Sequence, residues 1–225
     1  MNNRTFRIRV STSLILGSAL LLGLSAVACS SSSPGDGAGG SGDAVSGGNT
    51  GVCAADALTA PAEVPAILQT PSGVTLIHHF RAAGTQNYKC TAPDADAGTT
   101  YTWVFVAPEA VLSDACGNQV GTHYAGPGGA ATPRWQFTAD GSFVQGMKVQ
   151  SSPVAGSIPE LLLARSDSSP SGELANVTYV QRLATVGGAA PDAADCTTAN
   201  VDEVRKSGYS AEYYFYTGGA SGSAY

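Results

Sequence analysis

The sequence predicts an all-β fold, an antiparallel β-sandwich or a partly closed barrel with one or two short helical turns and disulfide staples. Three observations predict it. Segments rich in Val, Ile, Thr and aromatic residues recur along the chain, turn signals separate them at intervals of about 8–15 residues, and four cysteines lie in the same region. Branched and aromatic side chains suit the pleated, half-buried surface of a sheet.

The predicted strands follow one another from residue 74 to residue 216. The first two end at Gly84 and Pro108, and the dipeptide Asp140-Gly141 indicates a hairpin turn between two later ones. Helical turns are predicted at Pro108–Ser113 and Ala199–Lys206. The predicted strands are Val74–Arg81, Thr100–Val106, Trp135–Thr138, Phe143–Gln145, Glu160–Arg165, Leu174–Leu183 and Tyr209–Tyr216.

The charge is unevenly distributed along the 225 residues. Eleven basic and 17 acidic side chains give a net charge of −6, and three of the arginines lie within the first ten residues. The remaining chain is therefore strongly acidic. An acidic surface repels the phosphates of DNA and RNA, so the composition argues against nucleic acid as a partner.

The N-terminus has the pattern of an export signal. The three arginines precede an apolar run over Val10–Val27, which is short for a bilayer span. Residues 1–28 are therefore predicted to be a signal peptide. Ala26-Val27-Ala28-Cys29 resembles the bacterial lipobox, which implies a lipidated Cys29 and a membrane as partner. The alternative is ordinary cleavage after Ala28, which leaves a free thiol.

Residues 29–51 are predicted to form a tether between this anchor and the folded domain. Fourteen of the 22 residues over Ser30–Gly51 are Gly or Ser, a composition that cannot bury a core. The single β domain is predicted over residues 52–218, followed by a flexible tail at 219–225. We expect an exported protein of the cell envelope, at the outer membrane or cell surface.

Four cysteines remain in the domain, namely Cys53, Cys90, Cys116 and Cys196. An even number in an exported domain predicts disulfides, for which three connectivities exist. The preferred pairing is Cys90 with Cys116 and Cys53 with Cys196, which would join the start of the domain to its end. No pair has C-x-x-C spacing, so no metal site is expected.

Four ordered segments resemble the domain-of-unknown-function family numbered 3455. They are Gly84–Cys90 (GTQNYKC), Gly121–Pro127 (GTHYAGP), the stretch that starts at Val177–Arg182 (VTYVQR), and Glu212–Tyr216 (EYYFY). The resemblance covers about residues 60–216 and implies no established activity. Some members carry the label malate dehydrogenase, but this sequence has no G-x-G-x-x-G between a strand and a helix. We therefore expect no nicotinamide cofactor, and no other cofactor.

His123 is the sharpest candidate for chemistry, because an imidazole beside a Gly-Pro loop is suited to general-base catalysis or ligand binding. The alternative is a structural histidine bonded to a loop carbonyl. Gln86, Asn87, Tyr124 and Arg182 are further binding candidates from the same segments. Arg182 is alternatively paired with Glu160 or Glu212 in a structural ion pair.

Two other groups of side chains have structural alternatives. His78 and His79 are adjacent on a strand and point to opposite faces, so they are expected to be one half-buried and one solvated residue. Tyr and Trp residues are candidates for a carbohydrate-stacking face, although packing in the core is the more common role of such residues. They are Trp103, Trp135, Tyr209, Tyr213, Tyr214 and Tyr216.

The sequence therefore favours a non-enzymatic, lipid-anchored envelope protein whose β domain binds a ligand or has a structural role. The alternative is a secreted enzyme with His123 as general base. The patterns of serine acyl transferases and of zincins are absent. The two interpretations are best distinguished by whether His123, Tyr124, Gln86 and Arg182 converge on a concave pocket.

Overall fold

The structure is a computed structural model that describes residue 58 and residues 60–93 and 100–219. The predicted signal peptide, Cys29, the tether, Cys53 and residues 220–225 of the predicted tail lie outside the described residues. No helix in the described part is long and apolar enough to cross a membrane.

Eight antiparallel strands form a closed barrel in which each strand pairs with the next along the chain and β8 pairs with β1. The all-β prediction is thus confirmed, and of the two architectures expected the chain adopts the barrel. The strands are β1 (Val74–Thr91), β2 (Thr102–Ser113), β3 (Gln119–Gly126), β4 (Gly129–Phe137), β5 (Phe143–Ser152), β6 (Glu160–Ser168), β7 (Val177–Gly187) and β8 (Val204–Gly218). Three 3-10 turns accompany them, at Ala66–Leu68, Ala193–Asp195 and Thr198–Asn200.

Two strands run past the residues that were expected to end them. β1 continues through Gly84, where β2 approaches so closely that an added Cβ would lie 2.5 Å from the Cα of Ala110. Glycine at this position therefore permits close packing and does not mark a turn. β2 continues through Pro108, and the helical turn predicted at Pro108–Ser113 is wrong. Pairing of β2 with β3 begins only at Glu109, so the ladder on that side starts after the proline.

The predicted hairpin is confirmed, because β4 and β5 are joined through Asp140-Gly141 and Gly141 has a φ of 70°. Such a backbone conformation favours glycine. The helical turn predicted at Ala199–Lys206 is only partly correct. A 3-10 turn covers Thr198–Asn200, and β8 already begins at Val204.

The strands separate two apolar clusters on opposite faces of the barrel wall, as the period of two along a strand requires. The larger cluster fills the interior and includes Trp135, Phe215 and Leu163. The smaller cluster lies on the outer face of β6, β7 and β8, where the segment with the first 3-10 turn covers it and buries Leu68 completely.

The preferred disulfide pairing is wrong, because Cys90 bonds to Cys196. Cys90 pairs with Trp103 near the start of β2, whereas Cys116 follows the end of β2 and lies at the opposite end of the barrel. The bond instead links the end of β1 to the connection between β7 and β8. Cys116 takes part in a disulfide as well.

Candidate functional site

A cavity of about 470 Å³ lies inside the barrel. Seven strands contribute to its wall, mostly through the later parts of β1 and β5 and the earlier parts of β2, β4 and β6. The cavity therefore lies toward one end of the barrel. The lining residues are Gln86, Tyr88, Phe105, Pro108, His123, Ala130, Ala131, Pro133, Met147, Lys148, Ser151, Ile158, Pro159, Leu161, Leu163 and Arg182.

The cavity borders a gap between β4 and β5. These two strands pair at three positions only, the last of which is Arg134 with Gln145. Beyond it, Pro133 has no N–H with which to continue the ladder. The unpaired parts of both strands contribute lining residues, among them Ala131 on β4 and Lys148 on β5. The seam between β4 and β5 is therefore a lateral entrance to the cavity.

Gln86 on β1 is a buried polar residue in this wall. In the part of the chain that the structure describes, its amide nitrogen Nε2 makes no hydrogen bond of acceptable geometry, although it lies beside the Tyr209 hydroxyl. A buried amide without a partner is costly, because it has lost water and gained nothing in return. The adjacent residue Asn87 points to the other face, where its side-chain oxygen accepts a hydrogen bond from the Thr85 hydroxyl at 2.9 Å. The structure therefore places Gln86 in the cavity and Asn87 outside it.

His123 on β3 is held in the wall by its neighbours on β4. Its ring stacks on Trp135 at 4.7 Å, and Nδ1 lies 3.0 Å from the Arg134 carbonyl oxygen. A carbonyl accepts a hydrogen bond, so Nδ1 carries the proton and Nε2 keeps a lone pair. Within the described part of the chain, Nε2 has no hydrogen-bond partner.

Burial makes His123 a neutral residue. Desolvation lowers its pKa to about 3, opposed by the bond to the Arg134 carbonyl and assisted by the positive charge of Arg182. A proton acceptor with so low a pKa is a weak general base at neutral pH. The imidazole is thus better suited to accept a hydrogen bond than to remove a proton.

Tyr124 does not share the cavity with His123. Its hydroxyl donates to the side-chain oxygen of Gln136 at 2.7 Å. Because successive side chains on a strand point to opposite faces, the adjacency of Tyr124 and His123 excludes a common site for the two. Of the four residues whose convergence was to distinguish the two interpretations, Gln86, His123 and Arg182 line the cavity and Tyr124 does not.

Arg182 on β7 has no carboxylate partner among the described residues, and the ion pair expected with Glu160 or Glu212 is wrong. Its Nε and Nη2 donate to the Pro159 carbonyl at 3.1 and 2.8 Å. Glu160 accepts a hydrogen bond from the Ala184 amide instead, and Glu212 lies beside His79 and Arg81. The guanidinium is held in place by a neutral group and keeps its full charge toward the cavity.

Three tyrosines lie near the cavity, of which Tyr88 was not identified as a site residue from the sequence, whereas Tyr209 and Tyr213 were candidates for a carbohydrate-stacking face. Tyr88 donates its hydroxyl to the Gly188 carbonyl at 2.8 Å, and the buried hydroxyls of Tyr209 and Tyr213 have no hydrogen-bond partner of acceptable geometry. Burial raises the pKa of Tyr209, and the neighbouring Tyr213 raises it further. Tyr88 follows Gln86 by two residues, so the period of two along a strand indicates that the two side chains share a face.

The other aromatic candidates pack in the core. Five of the six are buried, namely Trp135, Tyr209, Tyr213, Tyr214 and Tyr216. The sixth, Trp103, is partly exposed and lies beneath the Arg205 guanidinium. These residues therefore form no continuous stacking face for a carbohydrate.

His78 and His79 contact different neighbours, as adjacent strand residues should. His78 stacks on Phe80 in the interior cluster, whereas His79 stacks on Tyr214 and lies 2.6 Å from a Glu212 carboxylate oxygen. Both are partly buried, so the expectation of one solvated histidine is wrong. Neither lines the cavity with His123.

The chemical character of the cavity is that of a binding site with few polar groups. Apolar and proline side chains form most of its wall, and Gln86, His123 and Arg182 supply polar atoms. Across the described ranges, no three His, Cys, Asp or Glu side chains are grouped to hold a metal.

The comparison with known proteins gives one match. Residues 71–217 match the model of the family described as Protein of unknown function (DUF3455), which agrees with the resemblance seen over about residues 60–216. No curated protein and no solved structure matches the chain.

Proposed function

The chain belongs to the family described as Protein of unknown function (DUF3455), and on that premise we propose that its barrel is a non-enzymatic ligand-binding domain that a lipid anchor holds in the cell envelope. The observation that carries the proposal is the cavity of about 470 Å³. Its volume lies within the range of about 300–1,000 Å³ typical of small-molecule sites. Eight-stranded barrels are wide enough to hold one small ligand.

The polar groups of the cavity support binding, because the described residues leave a hydrogen-bond donor and a positive charge without a partner. Among the described residues, the Gln86 amide nitrogen makes no hydrogen bond of acceptable geometry, and the Arg182 guanidinium has no counter-ion. A buried polar group without a hydrogen-bond partner costs free energy. A ligand that pairs with these groups removes that cost, which favours binding.

The enzymatic alternative is less well supported by the geometry. A general base needs a pKa near the working pH, and the pKa of His123 is far below neutrality. The wall of the cavity contains Ser151 but no Asp or Glu to orient a base or donate a proton. Binding requires none of these groups.

The experiment that tests binding uses the neutral fluorescent dye N-phenyl-1-naphthylamine and the purified chain. We expect a saturable rise in fluorescence with one dye molecule per chain. Leu161→Trp fills the cavity and should abolish this signal, whereas Val186→Trp adds the same ring at an exposed site on β7 that is no part of the cavity. Equal dye binding by both variants, or no saturable binding by the wild type, contradicts the proposal.

The lipid anchor rests on the Ala26-Val27-Ala28-Cys29 segment and the Gly/Ser-rich tether that follows it. Two or more acyl chains hold a protein stably on a membrane, since each buried methylene contributes about 0.8 kcal/mol. In the native host, Cys29→Ser should move the protein from the membrane fraction to the soluble fraction. Mass spectrometry that finds an unmodified Cys29 in the wild-type protein would show that the anchor is wrong.

A further inference from the structure

We propose that the ligand of the cavity is an amphipathic anion, with a compact apolar body and one carboxylate or similar acidic group that binds Arg182. The inference rests on the proposed ligand-binding function and specifies the chemical class of the ligand. Three observations support it. They are the charge of the residues that line the cavity, the guanidinium edge that makes no ion pair, and the apolar side chains in the rest of the wall.

The cavity wall has the opposite charge to the rest of the protein. The whole chain carries 17 acidic side chains and a net charge of −6, yet the residues that line the cavity include two cations, Arg182 and Lys148, and no carboxylate. Across the described residues, neither cation forms an ion pair. Five of the eight described cations form ion pairs. Two of the other three, the partly buried Arg182 and the exposed Lys148, lie in one concave wall, which suits an external anion.

Arg182 presents one edge of its guanidinium for this purpose. Nε and one hydrogen of Nη2 are used by the Pro159 carbonyl. Nη1 makes no hydrogen bond in the described part of the chain, so the edge formed by Nη1 and Nη2 is available. That edge matches the two oxygens of a carboxylate, which arginine binds with two parallel hydrogen bonds. The Pro159 carbonyl fixes the orientation of the fork without neutralising it.

Gln86 supplies a further donor near the same place. Both Gln86 and Arg182 are close enough to the Tyr209 hydroxyl to affect its pKa, which burial and then Tyr213 raise. The Gln86 amide nitrogen therefore lies beside the Tyr209 hydroxyl, in the region that the Arg182 charge reaches, and in the described part of the chain it makes no hydrogen bond of acceptable geometry. An acidic group bound there receives hydrogen bonds from a charged donor and a neutral donor.

The remainder of the wall fits an apolar body. Phe105, Ile158, Leu161 and Leu163 line the cavity beside the polar groups, and Pro133 lies at the lateral entrance. Apolar ligand surface that these side chains remove from water gains about 25 cal/mol per Å². A small hydrophilic anion such as phosphate leaves this part of the wall unfilled.

The test uses three probes of equal shape and different charge, measured by isothermal titration calorimetry with the purified chain. They are naphthalene-2-carboxylate, the neutral naphthalene-2-carboxamide and the cationic 2-naphthylmethylammonium. We expect the carboxylate to bind at least about tenfold more tightly than the carboxamide, equivalent to about 1.4 kcal/mol, and the ammonium to bind most weakly. Dye binding without a preference for the carboxylate overturns this proposal alone, whereas absence of both dye and probe binding overturns the proposed function.

Substitutions of Arg182 test whether this residue causes the preference for the carboxylate probe. Arg182→Met removes the charge and should bring the affinity for the carboxylate down to that for the carboxamide, while Arg182→Lys retains part of the preference. Lys206→Met is the matched control, because it removes one positive charge from an exposed ion pair with Glu109 and should leave the preference unchanged. Loss of the preference in Lys206→Met, or its persistence in Arg182→Met, contradicts the assignment.

A second measurement keeps the proposal testable if Arg182→Met does not fold. Raising the salt concentration from about 0.05 M to about 0.5 M shortens the range of charge interactions. In the wild-type protein it should weaken binding of the carboxylate and leave binding of the carboxamide unchanged. An equal response of the two probes shows that charge does not select the ligand.

Discussion

Gln86 and Gln181 are equally buried, each with 2% of its surface exposed. Among the described residues, however, only the Gln181 amide nitrogen donates a hydrogen bond. The Gln181 amide nitrogen donates to the Leu68 carbonyl at 2.7 Å, and its oxygen accepts from the Tyr216 hydroxyl at 2.6 Å. The Gln86 nitrogen has no partner. Gln181 joins the outer cluster to the segment that covers it, whereas Gln86 faces the cavity. The difference separates a structural amide from one that is available to the ligand we propose.

Substitution of the two glutamines by methionine should therefore change stability in opposite directions. Gln86→Met removes an unsatisfied buried amide and should raise the free energy of unfolding by about 1 kcal/mol. Gln181→Met leaves the Leu68 carbonyl and the Tyr216 hydroxyl without a partner and should lower it by about 1–3 kcal/mol. Urea denaturation of both variants checks this prediction. A loss of stability in both would show that the Gln86 amide is satisfied in solution.

The neutral state of His123 predicts how stability depends on pH. Burial lowers its pKa from 6.5 to about 3 in the folded protein. Below about pH 6.5 the unfolded chain therefore binds a proton at His123, whereas the folded protein does not. The free energy of unfolding should then fall as the pH falls, by up to about 1.4 kcal/mol per unit. Urea denaturation between pH 7 and pH 5 measures the slope.

His123→Gln should flatten this slope, whatever its effect on stability at pH 7. Burial also lowers the pKa of His78, although Glu173 and Asp140 oppose it, so His78→Gln is the matched control and should remove a smaller part of the slope. Carboxylates with lowered pKa values, such as Glu109, contribute only at lower pH. A slope that is unchanged in His123→Gln would contradict the prediction that the buried imidazole is its main source.

Gly84 should tolerate no side chain, because β1 and β2 approach each other closely there. A Cβ at this position would collide with the Glu109 carbonyl oxygen and lie 2.5 Å from the Ala110 Cα. Gly84→Ala should therefore lower the free energy of unfolding by about 2–3 kcal/mol. Gly208→Ala is the control, since nothing lies within 4 Å of a Cβ added on β8 at that point. Equal melting temperatures for the two variants would contradict the prediction.

The Cys90–Cys196 bond should be worth several kcal/mol. It joins residues 106 apart in sequence, and removal of a native disulfide typically costs about 2–5 kcal/mol. The double variant Cys90→Ala with Cys196→Ala should lose this amount in urea denaturation. Peptide mapping without reductant should find Cys90 linked to Cys196, which leaves Cys53 for Cys116. A fragment that contains Cys90 linked to Cys116 would overturn the connectivity.

The sequence was sufficient for the fold class, and it singled out three residues that line the cavity. Gln86, His123 and Arg182 lie in the segments that carry the family resemblance, and all three line the cavity. Asn87 and Tyr124 lie in the same segments, but alternation along the strand turns them to the other face. The family resemblance identified the segments that contribute to the cavity. Which residues of a segment face the cavity follows from the alternation of side chains along the strand.

Other features depend on contacts between distant parts of the chain. Lys148 has no local signal, because its place in the wall follows from where the pairing of β4 with β5 stops. The partner of Cys90 depends on the length of β1 beyond Gly84, a residue that resembles a strand end when read alone. The continuation of β2 past Pro108 likewise depends on where β3 begins to pair. Such features are properties of the closed barrel and not of any single segment.

The short pairing of β4 with β5 also determines how the proposed ligand enters and leaves the cavity. Three residue pairs join these two strands, whereas 15 join β1 to β8. Parting the wall at this point breaks few backbone hydrogen bonds and leaves the rest of the barrel folded, so uptake and release need only local opening. Amide protons in the three pairs that join β4 to β5 should therefore exchange with solvent much faster than those in the pairs of β1 with β8. The residence time of a bound ligand then becomes independent of how slowly the whole protein unfolds.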